Sequence, residues 1–488
     1  MLTLLIFFPL IAAFFVGFSR KQPGKIALIL AMLELLLSAS LLTQFDSHGG
    51  FQFLQNYLWV APLGINYKVG LDGIGLLLVL LTTFLTPIII LSSLNTQYKN
   101  ARLFYALILV MQFALVGVFS ALDGFLFYIF WELALIPIYL ICLMWGGADR
   151  IRITLKFFIY TLSGSLLMLV ALIWLWFQTP GSHSFDIDAF YSLSLTSSQQ
   201  SWIFWAFFLA FAIKMPIFPF HTWQPDTYTD APSPGTMLLS GIMLKMGVYG
   251  LLRWLLPISP LGINQWGFTA IVLSVTGIVF ASCIAIVQKD FKRLIAYSSI
   301  AHVGLISAGI FSLTHQGIQG GIIQMISHGI VVVGLFYIAE ILLLRTRTNK
   351  MSDLGGIRNV APVFSTVFFI LVLASVALPL TSGFVGEFLL LNGLFQYDGI
   401  ITAIAGISII LSAVYMFRAF QKTTLGETNK NTNYFADLSN REKCVLVPLI
   451  ILIFWIGIYP QPILNIAGPS VDALQNTILQ SAGVTSLK

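Results

Sequence analysis

The chain has 488 residues, of which 58% are hydrophobic and only 9% are charged, and its mean hydropathy is +0.91. Soluble domains carry roughly 25% charged residues, so this composition excludes a soluble globular protein. A formal net charge of +6 is compatible with a nucleic-acid partner, but the positions of the basic residues, described below, exclude one.

Apolar runs of about 20 residues recur along the whole chain, and each is long enough to cross the ~30 Å hydrocarbon core of a bilayer. The first run, at residues 1–18, has no basic segment before it and no small-residue cleavage site, which favours a membrane helix over a cleaved signal peptide. The predicted spans are 2–19, 26–45, 71–94, 102–120, 124–145, 154–178, 202–222, 233–256, 266–287, 292–312, 317–344, 362–396, 399–420 and 444–464. Because the connecting loops are short, we predict an all-α polytopic protein of about fourteen transmembrane helices that forms a single membrane domain, 1–488.

The basic residues predict the orientation of the chain. Twenty of the 25 lysines and arginines fall in loops on one side of the predicted arrangement. The opposite side holds only Lys68, Arg253 at a helix end and Lys488, while Lys214 and Lys245 fall within spans. Cytoplasmic loops are enriched in lysine and arginine. We therefore expect both termini on the periplasmic side of a bacterial inner membrane, and no nucleic-acid partner.

The sequence contains no recognisable cofactor site. Cys142, Cys283 and Cys444 are isolated from one another, and neither iron–sulfur spacing nor a cluster of metal ligands is present. No glycine-rich phosphate loop follows a predicted strand. We expect no cofactor or metal in this chain, so energy for transport would come from a partner or an ion gradient.

Prolines interrupt two predicted spans, Pro216 and Pro219 in the seventh and Pro379 in the twelfth. The twelfth span follows the seventh by an odd number of spans, so the two cross the membrane in opposite directions. Corresponding broken helices are typical of inverted repeats. We predict two five-helix repeats, 102–256 (spans 4–8) and 266–420 (spans 9–13). The alternative is a pair of ordinary kinks, which are common in membrane helices.

Ionisable side chains inside the apolar spans are the strongest functional signal. A charge at this depth costs several kcal/mol and indicates a functional site by default. Counted at ~1.5 Å per residue, these side chains lie near the bilayer midplane, with Glu132 somewhat nearer the outside. The candidates are Glu132, Lys214, Lys245, His302, His328 and Glu387. One layer of titratable groups that crosses both repeats predicts a lateral proton relay rather than a single pore.

Less specific explanations stay open for these residues. Glu132 and Lys214 would act as a proton gate if they pack together, because burial disfavours the charged lysine and a carboxylate favours it; a static ion pair is the alternative. Lys245 has no acidic partner evident in the sequence, which favours a neutral or shared-proton state. His302 and His328 can carry protons near neutral pH, but each is also compatible with a packing role.

Acidic residues near span ends give weaker signals. We expect Glu340, close to a cytoplasmic span end, to meet Arg345 or Arg347 among the lipid headgroups. Asp72 and Asp123 stand at span entrances, where we expect them to be solvated.

Three further acids have no assigned role. Glu34, in the second span, has no counterpart in the repeats. Asp226 and Asp230 flank the proline-rich loop after the seventh span and are candidates for a proton inlet, although solvated loop acids are commoner.

Four long blocks of sequence are specific enough to indicate a family. They are WELALIPIYLICLMWG at 131–146, FAIKMPIFPFHTWQPDTYTDAPSPGTMLLSGIMLKMGVYGLLR at 211–253, DFKRLIAYSSIAHVG at 290–304 and GFVGEFLLLNG at 383–393. The first three resemble the antiporter-like subunits of respiratory complex I. The fourth resembles the M type, equivalent to mitochondrial subunit 4, which has Glu in the broken twelfth span where L-type and N-type relatives carry Lys.

The resemblance implies a proton-translocating subunit of NADH:quinone oxidoreductase, a translocase with no redox chemistry in this chain. It implies that Glu132 and Lys214 are an input pair and that Lys245 is a central relay. It also implies that His302 and His328 are supporting relay positions and that Glu387 is the output residue. NADH, FMN, iron–sulfur clusters and quinone are expected in partner subunits. The expected partners are the L-type and N-type antiporter-like subunits and the lipid bilayer. Tyr228 departs from the family, since many relatives have a histidine there and tyrosine cannot replace it as a shuttle.

Two other functions remain compatible with the sequence. One is a D-type subunit of a multisubunit Na⁺/H⁺ antiporter, against which Glu387 argues. The other is a non-transporting scaffold, for which Lys214, Lys245 and Glu387 would be replaceable by neutral residues.

Overall fold

The computed structural model describes residues 1–181 and 183–482, and helices dominate it. The N-terminal helices are α1 (Leu2–Phe18), α2 (Pro23–Leu42) and α3 (Gly73–Ser93). Asp72 caps α3, because its carboxylate accepts a hydrogen bond from the Gly75 N–H at 2.9 Å. Such a cap satisfies one of the N–H groups left free at a helix start.

A two-stranded antiparallel hairpin between α2 and α3 corrects the all-α prediction. Strand β1 (Gln52–Val60) pairs with β2 (Ile65–Leu71) across a 3₁₀ turn at Ala61–Leu63. In β2, apolar and polar residues alternate, which is the period of a half-exposed strand. Gly64 closes the turn with a left-handed φ of 61°. Pairing between the two strands thus orders a segment that is too short to form a core.

The next seven helices cover the predicted first repeat. They are α4 (Ala101–Ser120), α5 (Gly124–Trp145), α6 (Arg150–Gln178), α7 (Ile187–Tyr191), α8 (Ser197–Lys214), α9 (Gln224–Asp230) and α10 (Ser233–Ile258). The predicted span 202–222 is broken, since α8 ends at Lys214, before Pro216 and Pro219. Proline cannot donate a backbone hydrogen bond, so the helix does not continue through this segment.

A second group of seven helices follows. They are α11 (Pro260–Val287), α12 (Phe291–Phe311), α13 (His315–Thr346), α14 (Ile357–Val360), α15 (Pro362–Ser375), α16 (Ser382–Tyr397) and α17 (Gly399–Thr424). The predicted span 362–396 is broken around Pro379. Ala377 and Leu380 adopt left-handed φ angles of 55° and 75° in this break, which no continuous helix allows.

The last two described helices, α18 (Asn440–Ile458) and α19 (Gln461–Ala482), meet at an angle of 68°. The predicted span 444–464 is therefore wrong at its end, because the chain turns at Pro460 and continues as a separate helix. The start of α19 packs closely on α3, where a Cβ at Gly73 would clash with the Ile466 carbonyl. Lys488, expected on the periplasmic side, lies outside the described residues.

Among the described residues, ten helices are long and apolar enough to cross a bilayer. The number of spans rises to eleven if α18 and α19 are counted together as one bent span. A helix lies in each predicted segment, but several, such as α1 and α15, are shorter than this length test requires. The count of fourteen therefore stays a prediction. All residues in the most apolar stretch of α10 are buried. In the corresponding stretches of α2 and α17, only 28% of the residues are buried. Helix α10 thus lies at the centre of the bundle.

Candidate functional site

Lys214 ends α8 at the proline break and is 2% exposed. Its ammonium lies 5.3 Å from the centroid of the Trp131 ring, a cation–π contact. It makes no hydrogen bond to any other described residue. A buried cation without a fixed hydrogen-bonding partner is costly, which favours a side chain that exchanges its proton over a static charge.

Glu132 follows Trp131 on α5 and is half-buried. It and Lys214 do not form an ion pair, and no described group hydrogen-bonds its Oε1. The structure therefore brings the predicted input pair to neighbouring helices without joining the two charges. The static ion pair is therefore not present in this structure, and a gate formed by these two residues stays a prediction.

Lys245 lies on α10, between π-helical segments at Leu239–Met243 and Leu251–Leu255, and is fully buried. Its ammonium donates to the Ser240 carbonyl at 2.6 Å and lies 3.0 Å from Nδ1 of His328. None of the described carboxylates forms an ion pair with it. The lysine and the imidazole are close enough to share one proton.

His328 joins Lys245 to a residue that sequence reasoning missed. Its Nε2 lies 3.0 Å from the hydroxyl of Ser299, on the opposite edge of the ring from Lys245. When the lysine donates to Nδ1, the neutral imidazole carries its own proton on Nε2 and donates it to Ser299. A proton taken up on one edge of the ring can thus be released on the other.

His302 and Glu387 form the far end of the array. Nδ1 of His302 lies 2.9 Å from Oε1 of Glu387, and Gln324 donates to the same oxygen at 3.4 Å. The rings of His302 and His328 are 6.1 Å apart, centroid to centroid. Both imidazoles line a cavity of about 20 Å³, which has room for about one water molecule.

The break before α16 allows Glu387 to approach α13. A Cβ at Gly386 would clash with the Gln324 side-chain oxygen, and one at Gly320 would lie 2.7 Å from the Leu390 nitrogen. The two helices therefore touch through glycine on each side. Gln324 was missed from the sequence, although it lies four residues before His328 on the same helix face.

Three weaker predictions are wrong. Glu340 bonds the Ser233 hydroxyl, and Arg345 instead pairs with Glu442 at 2.7 Å. Asp72 and Asp123 are buried caps, not solvated groups.

Asp123 shows why a span entrance is not always solvated. Its carboxylate accepts hydrogen bonds from the N–H groups of Phe125, Leu126 and Asn66, each at 3.0 Å. Burial raises the pKa of Asp123 to about 6. The hairpin covers this helix end, which the sequence did not reveal.

The loop between α8 and α10 is tied down by charge. Asp226 pairs at 3.0 Å with both Lys156 and Arg293, so this proton-inlet candidate neutralises two cations. Tyr228 is fully buried. Lys292, at the start of the predicted span 292–312, is 5% exposed and donates to the Ala231 carbonyl at 2.6 Å.

Comparisons with known proteins show the family of this chain. The family described as "NADH:quinone oxidoreductase/Mrp antiporter, TM" matches residues 121–412. This chain belongs to that family. The matched region contains every one of the six candidate relay residues. Because the chain belongs to this family, it is a multi-pass membrane protein with the antiporter-like fold.

Individual relatives narrow the likeness within the family. The chain is 41% identical to NADH-quinone oxidoreductase subunit M of Rickettsia prowazekii over 97% of its own length and 98% of that protein. It superposes on a chain of respiratory complex I from Thermus thermophilus with a TM-score of 0.90 at 30% identity, covering 98% and 100%. The M-type resemblance predicted from the motifs is thus confirmed.

A second structure shares only the fold. A chain of the Mrp complex from Dietzia superposes with a TM-score of 0.85 at 18% identity, over 98% of this chain and 55% of that one. Among the residues that the structure describes, no group of three or more His, Cys, Asp or Glu side chains is arranged to hold a metal ion.

Proposed function

We propose that this chain translocates protons as the M-type antiporter-like membrane subunit of a proton-pumping NADH:quinone oxidoreductase. One observation carries the proposal: an almost continuous array inside the bundle is formed by Lys245, His328, His302 and Glu387. The Lys245 ammonium lies 3.0 Å from His328 Nδ1, the two imidazole centroids are 6.1 Å apart, and His302 Nδ1 lies 2.9 Å from Glu387 Oε1. The full-length likeness to subunit M supports the assignment to this complex.

In this proposal a proton reaches Lys214 from the cytoplasmic side under the influence of Glu132. It then passes to Lys245, crosses the imidazole of His328 and leaves through Glu387. This order is the one that the family resemblance implies. At its first step, separating Glu132 from Lys214 would favour the neutral lysine and joining them the charged one. Each transfer is driven by a change in the charge of its neighbour.

The proposed architecture has about fourteen transmembrane helices and two inverted five-helix repeats, 102–256 and 266–420. Helices α8 and α15–α16, broken at Pro216 and Pro379, support the repeats. Both termini would lie on the periplasmic side of a bacterial inner membrane, with the basic loops in the cytoplasm.

The redox reaction belongs to partner subunits in this proposal. NADH, FMN, iron–sulfur clusters and quinone would be bound there, and the chain would be part of an enzyme as a translocase subunit. L-type and N-type antiporter-like subunits would be its neighbours in the membrane. A D-type role in a Na⁺/H⁺ antiporter is less well supported. The matched family includes both kinds of subunit, but the chain is 41% identical to subunit M over nearly its full length and only 18% identical to the Mrp chain.

Two measurements test the proposal. Affinity purification of the tagged chain should recover NADH:quinone oxidoreductase activity, and recovery of Na⁺/H⁺ antiport without that activity would contradict it. In the assembled complex, Lys214→Ala and Glu132→Ala should each strongly reduce proton uptake by inverted vesicles energised with NADH. Near-normal pumping by both variants, with assembly verified on a native gel, would favour a scaffold.

A further inference from the structure

A cavity of about 200 Å³ lies beside the start of α3, on the face of the bundle that carries the hairpin and α19. His48, Phe51, Asp72, Arg253 and Ser470 form part of its wall. His48 is exposed, whereas Asp72 and Arg253 are 6% and 7% exposed. The cavity therefore opens at the loop before the hairpin and ends at a buried ion pair. At ~30 Å³ per molecule, it has room for about six waters.

The ion pair at the floor of the cavity is held on several sides. Nη2 of Arg253 lies 2.5 Å from Oδ2 of Asp72. The guanidinium carbon lies 4.7 Å from the Phe51 ring centroid and 5.5 Å from that of Tyr249. The hydroxyl of Tyr191 donates to the Arg253 carbonyl at 2.6 Å. Two aromatic rings thus flank the guanidinium of this buried ion pair.

Lys245 and the arginine of this pair are carried by the same helix, α10. Arg253 follows Lys245 by eight residues on α10, a rise of ~12 Å. Tyr249 stands four residues from each, so the three side chains follow one face of the helix. Tyr249 is 1% exposed and its ring touches the guanidinium. Tyr249 thus occupies the helix face between the position of the central lysine and the cavity floor.

We propose that this cavity is an outward proton port for Lys245, and that the Asp72–Arg253 ion pair closes it. The inference rests on the relay role of Lys245 in the proposed function and adds a route that does not pass through Glu387. While the pair is closed, the guanidinium also opposes the passage of hydronium, as a fixed arginine does in other pores. When the pair opens, water from the cavity reaches Tyr249 and then Lys245. Asp72 and Arg253 are positioning residues that control access.

The chain offers a matched pair of variants for a test. Asp72 accepts from the Gly75 N–H and Asp186 from the Asp188 N–H, both at 2.9 Å at a helix start. Each also pairs with one base, Arg253 or Lys68. Asparagine caps helices as well as aspartate does, so Asp72→Asn and Asp186→Asn each keep the cap and break an ion pair. Only the first pair closes the cavity.

The measurement is the passive decay of an imposed pH gradient in vesicles that contain the assembled complex and no NADH. We expect Asp72→Asn to accelerate the decay severalfold and Asp186→Asn to leave it at the wild-type rate. Adding Lys245→Leu to Asp72→Asn should return the decay to the wild-type rate. Unchanged decay in Asp72→Asn, or acceleration that survives Lys245→Leu, would overturn the proposal.

Cysteine labelling gives an independent readout. In a background with Cys142, Cys283 and Cys444 replaced by serine, Tyr249→Cys should react with a membrane-impermeant thiol reagent from the hairpin side only when Asp72→Asn is also present. Equal protection with and without that change would make the ion pair a structural clamp. The labelling readout does not depend on proton transfer through Lys245, so failure of the port and failure of the relay proposal are distinguishable.

Discussion

Lys245 is fully buried and its hydrogen-bonding partners are a carbonyl and an imidazole, so a permanent charge would have no counterion there. A relay residue at this position must release its proton. Arginine remains protonated at any physiological pH. We therefore expect Lys245→Ala and Lys245→Arg both to slow proton pumping roughly tenfold or more, the scale of losing one proton-transfer group.

The assay for Lys245 is proton uptake by inverted vesicles, measured together with NADH oxidation and normalised to assembled complex. Electron transfer should slow along with pumping, because the two are coupled in the proposed complex. Full pumping by the arginine variant would show that position 245 needs only a charge, and the relay role would be withdrawn.

Ser299 and Ser298 form a matched pair on α12. Both hydroxyls are buried, but Ser299 faces Nε2 of His328 at 3.0 Å and Ser298 faces the Tyr415 hydroxyl at 3.0 Å. We expect Ser299→Ala to lower pumping severalfold, since the imidazole proton then lacks its acceptor, and Ser298→Ala to have little effect. Equal losses in the same vesicle assay would mean that the serines matter only for packing.

Glu387 tests whether the end of the relay needs a group that titrates. Glu387→Gln keeps the shape and the bonds to His302 and Gln324 but cannot ionise. We expect the Gln variant to lose most proton uptake, while Glu387→Lys retains part of it at reduced coupling. Wild-type pumping by the Gln variant would make Glu387 a packing residue and move the exit toward His328.

The packing of helix α16 against helix α13 depends on one glycine, Gly386. A Cβ at Gly386 would clash with Gln324, so Gly386→Ala should push α16 away and lengthen the His302–Glu387 distance. Overpacking of this kind costs about 1–3 kcal/mol. We expect a lower temperature of dissociation for the assembled complex and weaker pumping.

Gly406 on α17 is the control for this prediction, because a Cβ there would have nothing within 4 Å. Gly406→Ala should leave both the dissociation temperature and pumping unchanged. If the two variants behave alike, close approach at Gly386 is not what positions Glu387.

The orientation of the chain in the membrane is a property of the whole molecule. The chain should present its hairpin to the periplasm and the loop after α17 to the cytoplasm, because its basic loops lie on the second face. Asn56→Cys and Tyr434→Cys introduce thiols at exposed positions, Tyr434 being 97% exposed. An impermeant thiol reagent should label the first only in right-side-out vesicles and the second only in inverted ones. The reverse pattern would invert the proposed direction of pumping.

Much of the organisation of this chain was determined by its sequence. Long apolar runs and few charges specify membrane helices whatever their neighbours, since each helix satisfies its own backbone hydrogen bonds. Pro216 and Pro379 specified the two breaks for an equally local reason. The six relay candidates were recognisable because an ionisable group in an apolar span stands out against its surroundings.

The tertiary structure alone decided which of those groups touch. It joined Lys245 to His328 and His302 to Glu387, left Glu132 apart from Lys214, and added Ser299, since such contacts depend on how separate helices pack. The hairpin and the turn into α19 also escaped sequence reasoning, because their order comes from pairing and from covering helix ends. Depth in the membrane is a property of one segment, whereas a path for protons is a property of distances between segments that only packing sets.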